Sequence, residues 1–326
     1  MNAQIITFYS YKGGCGRSMA LANVAWILAS NGRRVLVIDW DLEAPGVHRY
    51  FRPFLRDPDL SQSPGLIDYF IDVATEAATG GRATGKTLLH HASSLEWEFS
   101  GGGTVDLVGA GRQDSSYGLR VNGFSWQSFY ERLGGYDLLD RMKQDFAAYD
   151  FVLIDSRSGV GDYAGICTVT MPDALVTCFT LNAQSLEGSV AVAQSVVALR
   201  SERPLAIFPV PMRVEYGEKE LLERARTAAR ISCYPLLRHI PDTDYWGRVE
   251  FPYVPFYAYN EMLAAFADSP FSTASILTAA ENLTGYLTLG AVTRTGDLPD
   301  DLRKAVRAAY ASNWAAAAES DPVKAR

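Results

Sequence analysis

Ile5-Ile6-Thr7-Phe8-Tyr9-Ser10-Tyr11-Lys12-Gly13-Gly14-Cys15-Gly16-Arg17-Ser18 decides how the rest of the chain is read. An apolar run of strand character enters a glycine-rich turn, and helical spacing begins at Ser18. A strand, a glycine loop and a helix in that order are what a phosphate-binding loop needs. Glycine lets backbone N–H groups turn inward with no Cβ in the way. The helix N-terminus adds partial positive charge. Lys12 and Arg17 add two full charges, and the Ser18 hydroxyl suits a Mg²⁺ ion. The segment therefore predicts a nucleoside triphosphate site.

Two later segments end in acids where such a site needs them. Arg34-Val35-Leu36-Val37-Ile38-Asp39 is a β-branched apolar run that continues as Trp40-Asp41-Leu42-Glu43-Ala44-Pro45-Gly46. Tyr149 to Asp155 is another apolar run, followed by Ser156-Arg157-Ser158-Gly159. Buried parallel strands that deliver carboxylates at their carboxyl ends are the expected walls of a nucleotide crevice.

The first loop departs from the strict pattern G-x-x-x-x-G-K-S/T. Tyr11 stands at the first glycine, Arg17 stands at the lysine, and a lysine has moved forward to Lys12. In this it resembles the deviant Walker A loop of the ParA/MinD family of dimeric ATPases, K-G-G-x-G-K/R-S/T, in its arginine form. The resemblance spans about residues 4–265, with specific motifs only at 12–18, 39–46 and 155–159. It implies a doubly wound, mostly parallel α/β sheet with helices on both faces. It also implies ATP and Mg²⁺ as cofactors, slow hydrolysis, and an ATP-dependent homodimer answering to a protein partner.

Residue by residue, the resemblance implies that Lys12, Gly13, Gly14, Cys15, Gly16, Arg17, Ser18 and Met19 hold the nucleotide. Lys12 would reach the phosphates of the partner subunit's nucleotide. Asp41 would place the attacking water, with Lys12 and Arg17 as the other catalytic groups. Ser18, Asp39 and Asp155 would serve the metal. Gly159 would bring its N–H to the γ-phosphate. Arg157 is open between phosphate sensor and salt-bridge partner of a nearby acid. Two loops are candidates for the base, Pro209–Glu215 with Arg213 and Pro252–Tyr257 with Pro255, or else they are rigid connections.

Gly80-Gly81-Arg82-Ala83-Thr84-Gly85-Lys86-Thr87 satisfies the strict phosphate-loop pattern better than residues 11–18 do. Its context is wrong, because the stretch before it, from Leu66 to Ala78, reads at helical spacing and not as a strand. It is expected to be a surface loop. Cysteines 15, 167, 178 and 233 contain no C-x-x-C pair, which argues against zinc and against an iron–sulfur reductase. His90-His91 reads as a polar surface pair.

The chain's 326 residues suffice for one large α/β domain, expected over 1–290 with an insert within about 53–148, and a helical tail at 291–326. Trp126, Phe129 and Tyr130 are expected to pack that insert. Apolar content of 48% and charge of 21% are those of a globular protein. With Met1 leading straight into the first strand and no apolar span, a cytoplasmic protein is expected. The net charge of −7 and the lack of a basic stripe argue against DNA as a ligand. The Ala-rich, mixed-charge tail does not read as a membrane-binding helix.

Two competitors remain at this level. One is an ATP-binding sensor that dimerises without turnover, since an arginine does not reproduce a lysine's point charge. The other is an ATP-dependent phosphotransferase or amidating enzyme with an acceptor pocket in the insert.

Overall fold

The computed structural model describes residues 3–79, 87–159, 165–237, 240, 245–269 and 272–319, with side chains of the final helix as far as residue 310. Residues Gly80–Lys86 of the second glycine-rich pattern lie outside the described residues.

Seven strands form one sheet: β1 (Gln4–Ser10), β2 (Arg34–Trp40), β3 (Ser93–Ser94), β4 (Thr104–Val108), β5 (Phe151–Ser158), β6 (Ala174–Thr180) and β7 (Ala206–Met212). Their order is β3-β4-β2-β5-β1-β6-β7. Every pairing is parallel except that of the two-residue β3 with β4. This is the mostly parallel architecture expected. Central strands such as Val35–Ile38 and Val152–Ile154 are fully buried, which is why they read as continuous apolar runs and not as alternating ones. β7 carries Pro209 and Pro211 at the sheet's edge, where missing ladder donors are tolerated.

The helices are α1 (Arg17–Ser30), α2 (Leu66–Ala78), α3 (Tyr117–Gly123), α4 (Trp126–Arg132), α5 (Gly135–Asp145), α6 (Ala183–Leu199), α7 (Lys219–Cys233), α8 (Tyr245–Arg248), α9 (Phe256–Tyr259), α10 (Ala264–Ala267), α11 (Ile276–Leu287) and α12 (Asp300–Glu319). α1 is buried all round from Met19 to Ala29. Trp26 at its middle sits among Phe54, Trp97, Phe99 and Phe266, with ring centroids 5.0, 5.3, 4.8 and 5.0 Å away. Burying such side chains stabilises by roughly 1.5–3 kcal/mol each, against differences of at most about 0.7 kcal/mol in helix propensity between ordinary residues. Packing therefore fixes α1. Gly32 follows it with φ +77° and donates to Ala29 O at 3.0 Å, as a C-terminal glycine does.

A second apolar layer covers the other face of the sheet. Phe129 is buried there with Phe70 and Trp40, and Trp126 and Tyr130 pack against them. Asn182 caps the start of α6, its side chain accepting from Ser185 N at 3.0 Å. In α12, Val306 and Tyr310 reach the main core. Among the described residues no helix is long and apolar enough to cross a membrane.

β1 lies between β5 and β6, so β5 leads to β6 past one side of β1 while β1 leads to β2 past the other. The loops after β1 and β5 part there. A crevice opens at the carboxyl ends, as a doubly wound sheet dictates.

Candidate functional site

The loop from Tyr11 to Gly16 joins β1 to α1. Gly14 and Gly16 take φ +75° and +100°, values a side chain rarely adopts. Gly16 caps α1, and its carbonyl accepts from Ala20 N at 3.0 Å. A cavity of about 540 Å³ opens over the loop, lined by Gly13 to Met19 together with Ser10, Asp41, Glu43 and Arg213. The sequence-predicted loop residues are thus brought together, with one exception. Lys12 does not line that cavity; it bonds Gln184 and lines a neighbouring one of about 440 Å³ with Asn182 and Glu215.

Three acids converge beneath the loop. Asp155 ends the apolar part of β5, fully buried. Its Oδ2 accepts from the Ser18 hydroxyl at 2.6 Å and its Oδ1 from Arg17 Nε at 2.5 Å. Asp41 pairs with Arg17 Nη2 at 2.8 Å. Asp39, also fully buried, accepts from the backbone N–H groups of Asp41 and Gly46, each at 3.1 Å. Burial first, then the charges of Asp155 and Asp41, push Asp39 well above the usual carboxylate range. Burial alone would lower Arg17, yet Asp155 and Asp41 outweigh it and hold the guanidinium above its ordinary value. The cluster therefore contains three carboxyls against one cation that stays charged.

That donor set fits a hard divalent cation. The hydroxyl and carboxyl oxygens are the ligands Mg²⁺ takes, with no sulfur or imidazole among them. Among the described residues no group of three His, Cys, Asp or Glu is placed to hold a metal ion by itself, so phosphate oxygens and water would complete the shell.

The remaining predicted residues sort clearly. Arg157 is a salt-bridge partner, 2.7 Å from Glu43. Arg213 holds φ +53°, donates to Gly14 O at 3.0 Å and lies over the Tyr253 ring at 4.9 Å. It clamps the phosphate loop from the end of β7. The Gly159 N–H does not face the cavity; it donates to Ser10 O at 3.2 Å. Pro255 begins α9, and its neighbours Pro252, Tyr253, Val254 and Tyr257 form the wall. Cys15 is buried, and burial pushes its thiol up, leaving it inert. Cysteines 15, 167, 178 and 233 are all free and buried.

Tyr50, Glu261 and Ile276 also line the cavity and were not singled out from the sequence. No local pattern marks them, since tertiary packing alone brings residues 50, 261 and 276 together. Tyr257, which also lines the cavity, ends the Pro252–Tyr257 segment named from the sequence.

A model of the CobQ/CobB/MinD/ParA nucleotide binding domain matches residues 6–249. No curated protein sequence gives a significant match. Among solved structures, the septum site-determining protein MinD of Pyrococcus horikoshii, complexed with Mg-ADP, is 19% identical with a TM-score of 0.56; the alignment covers 89% of this chain and 99% of that one. An ATP complex of Cyanothece McdA is 15% identical, TM-score 0.57, covering 88% and 97%. The MinC:MinD cell division complex of Aquifex aeolicus gives 16%, 0.53, 90% and 100%. At these identities the likeness is one of fold.

Proposed function

Because the chain belongs to the CobQ/CobB/MinD/ParA nucleotide binding domain family, we propose that it binds Mg-ATP over the Lys12–Met19 loop and hydrolyses the β–γ bond slowly. The observation that carries this reading is the meeting of Ser18, Arg17, Asp41, Asp39 and Asp155 in one hydrogen-bonded cluster, of which Arg17, Ser18 and Asp41 line the cavity. Backbone N–H groups of Gly13 to Ser18 and the start of α1 would bind the phosphates. Arg17 would offset charge on the transferring phosphoryl group, and Asp41 would place the water. A Mg²⁺ ion would be held at Ser18, with Asp155 and Asp39 ordering its water shell, and would neutralise the β- and γ-oxygens. Arg213 would hold the loop, and the Tyr253–Tyr257 wall would face the base.

Lys12 does not line its own subunit's cavity and bonds Gln184 instead, which supports action across a homodimer that ATP assembles. The MinC:MinD complex gives a precedent for a protein partner, whose identity here is open. Duplex DNA is not among the proposed ligands, given the net charge of −7. The cytoplasm is the proposed setting. Incubating the full chain with Mg-ATP for hours should yield ADP and orthophosphate in step. ATP that is bound yet returned intact would contradict hydrolysis.

One observation favours a second reading, a non-hydrolysing ATP sensor: both Asp41 and Asp155 are already paired with Arg17.

A further inference from the structure

Arg17 presents all three guanidinium nitrogens to protein acceptors. Nε donates to Asp155 at 2.5 Å, Nη2 to Asp41 at 2.8 Å and Nη1 to Ser10 Oγ at 3.4 Å. Its side chain is 7% exposed, that of Asp155 1% and that of Asp41 11%. Nε and Nη2 share one edge of the planar group, so a single residue ties together acids from β5 and from the loop after β2. A lysine's single ammonium cannot reproduce that fork.

Asp41 is consequently held at both oxygens, Oδ2 by Arg17 and Oδ1 by the Ala44 N–H at 3.2 Å. Placing a water asks for a carboxylate oxygen free to accept from it, and here both are already engaged. The triphosphate of a bound nucleotide would bring a larger negative charge to the same cavity that Arg17 lines, and would compete with Asp41 for the guanidinium.

The geometry assigns Arg17 a second role: a positioning residue that restrains Asp41, so that the acid becomes available only as Arg17 is drawn to phosphate oxygens. This rests on the ATPase reading above and sets its rate. Residue 17 would then add its own restraint to the rate of the proposed reaction. The sensor reading and the ATPase reading become two settings of one clamp.

Arg17→Lys keeps a cation at the helix start and opens the fork. Mg-ATP affinity by calorimetry should stay within about tenfold, while kcat for phosphate release should rise at least fivefold with a smaller change in KM. Adding Asp41→Asn to Arg17→Lys should abolish the gain. A kcat at or below the wild-type value, or lost ATP binding by a folded variant, would overturn the restraint and leave Arg17 a phosphate ligand only. A gain that survives Asp41→Asn would instead overturn the role given to Asp41. If neither wild type nor Arg17→Lys releases phosphate while both still bind ATP, the ATPase reading itself falls.

A second measurement needs no variant. The Arg17 Nε–H resonance of the wild-type chain should shift when Mg²⁺ and a non-hydrolysable ATP analogue are added, as Nε leaves Asp155. An unchanged resonance at saturating analogue overturns the proposal.

Discussion

The role proposed for Asp41 separates cleanly from binding. It stands on the loop after β2 and not on the loop before α1, so in that reading its carboxylate would act on the water and not on the nucleotide. Asp41→Ala should therefore retain Mg-ATP while turnover falls by roughly 10²–10⁴-fold, the range for a positioned acid–base group. Single-turnover phosphate release, measured beside nucleotide affinity, checks this. Wild-type turnover in the variant would move the role to Glu43. Several site residues singled out from the sequence stand at or just beyond the end of an apolar run, as Lys12, Asp39 and Asp155 do. Tyr50, Glu261 and Ile276 have no such neighbour, and only the closing of the cavity reveals them. The pairing of Arg17 with both acids was also invisible, because a motif states residue types and not which of them touch. Gly159 shows the converse. Its place in the motif was legible, but its N–H is spent on Ser10 O.

Elements were legible where burial is complete. β1, β2 and β5 announced themselves as apolar runs, and each lies in the interior. Helical spacing over Leu66–Ala78 marked α2 as well, but not the close backbone approach that fixes its start. α2 begins at Leu66 with its first N–H groups on Gly109 O and Ala110 O, at 2.8 and 2.9 Å. A Cβ on Gly65 would press on Gly109 O and come within 2.6 Å of Gly111 N, backbone atoms that cannot swing aside. Gly65→Ala should cost about 1–3 kcal/mol through overpacking, seen as a lower denaturant midpoint with an unchanged slope. An unaltered midpoint would mean that this junction yields freely.

The turn at residues 47–54 gives a pH-dependent counterpart. Burial, aided by Arg49, lowers His48 from 6.5 to about 4. Between those values the unfolded chain takes up a proton that the folded chain refuses. Stability should thus fall as pH drops from about 6.5 towards 4, by up to about 1.4 kcal/mol per unit of the difference. Above 6.5 both states are neutral and His48 contributes no slope. His48→Gln should flatten the dependence of the thermal midpoint on pH between 7 and 4.5. An equal slope in both proteins would place the acid sensitivity elsewhere.

At the scale of the whole molecule, Lys12 lines not the cavity over the loop but a neighbouring one that shares Gly13, Gly14 and Cys15 with it. If two subunits face each other across these loops, each Lys12 meets the other's phosphates and ATP becomes part of the contact. The mass in solution should be that of a dimer with ATP in the Asp41→Ala background, a monomer with ADP, and a monomer when Lys12→Ala is added. Equal dimer in all three states would leave Lys12 a local residue. The overall sheet was legible because strand and helix alternate. The seating of α12 was not, since its Val306 and Tyr310 anchors stand in an Ala-rich, mixed-charge helix with no motif.

The central claim is that nucleotide chemistry belongs to the loop joining β1 to α1. Calorimetric titration of Mg-ATP into the wild-type chain, Gly16→Val and Lys86→Ala tests it most directly. Gly16 stands at φ +100°, and a side chain there would also meet Met212 Cε at 3.2 Å, so valine should remove binding. Lys86→Ala should bind as the wild type does. Unchanged affinity in Gly16→Val together with lost affinity in Lys86→Ala would contradict the account and move the nucleotide to the second glycine-rich segment.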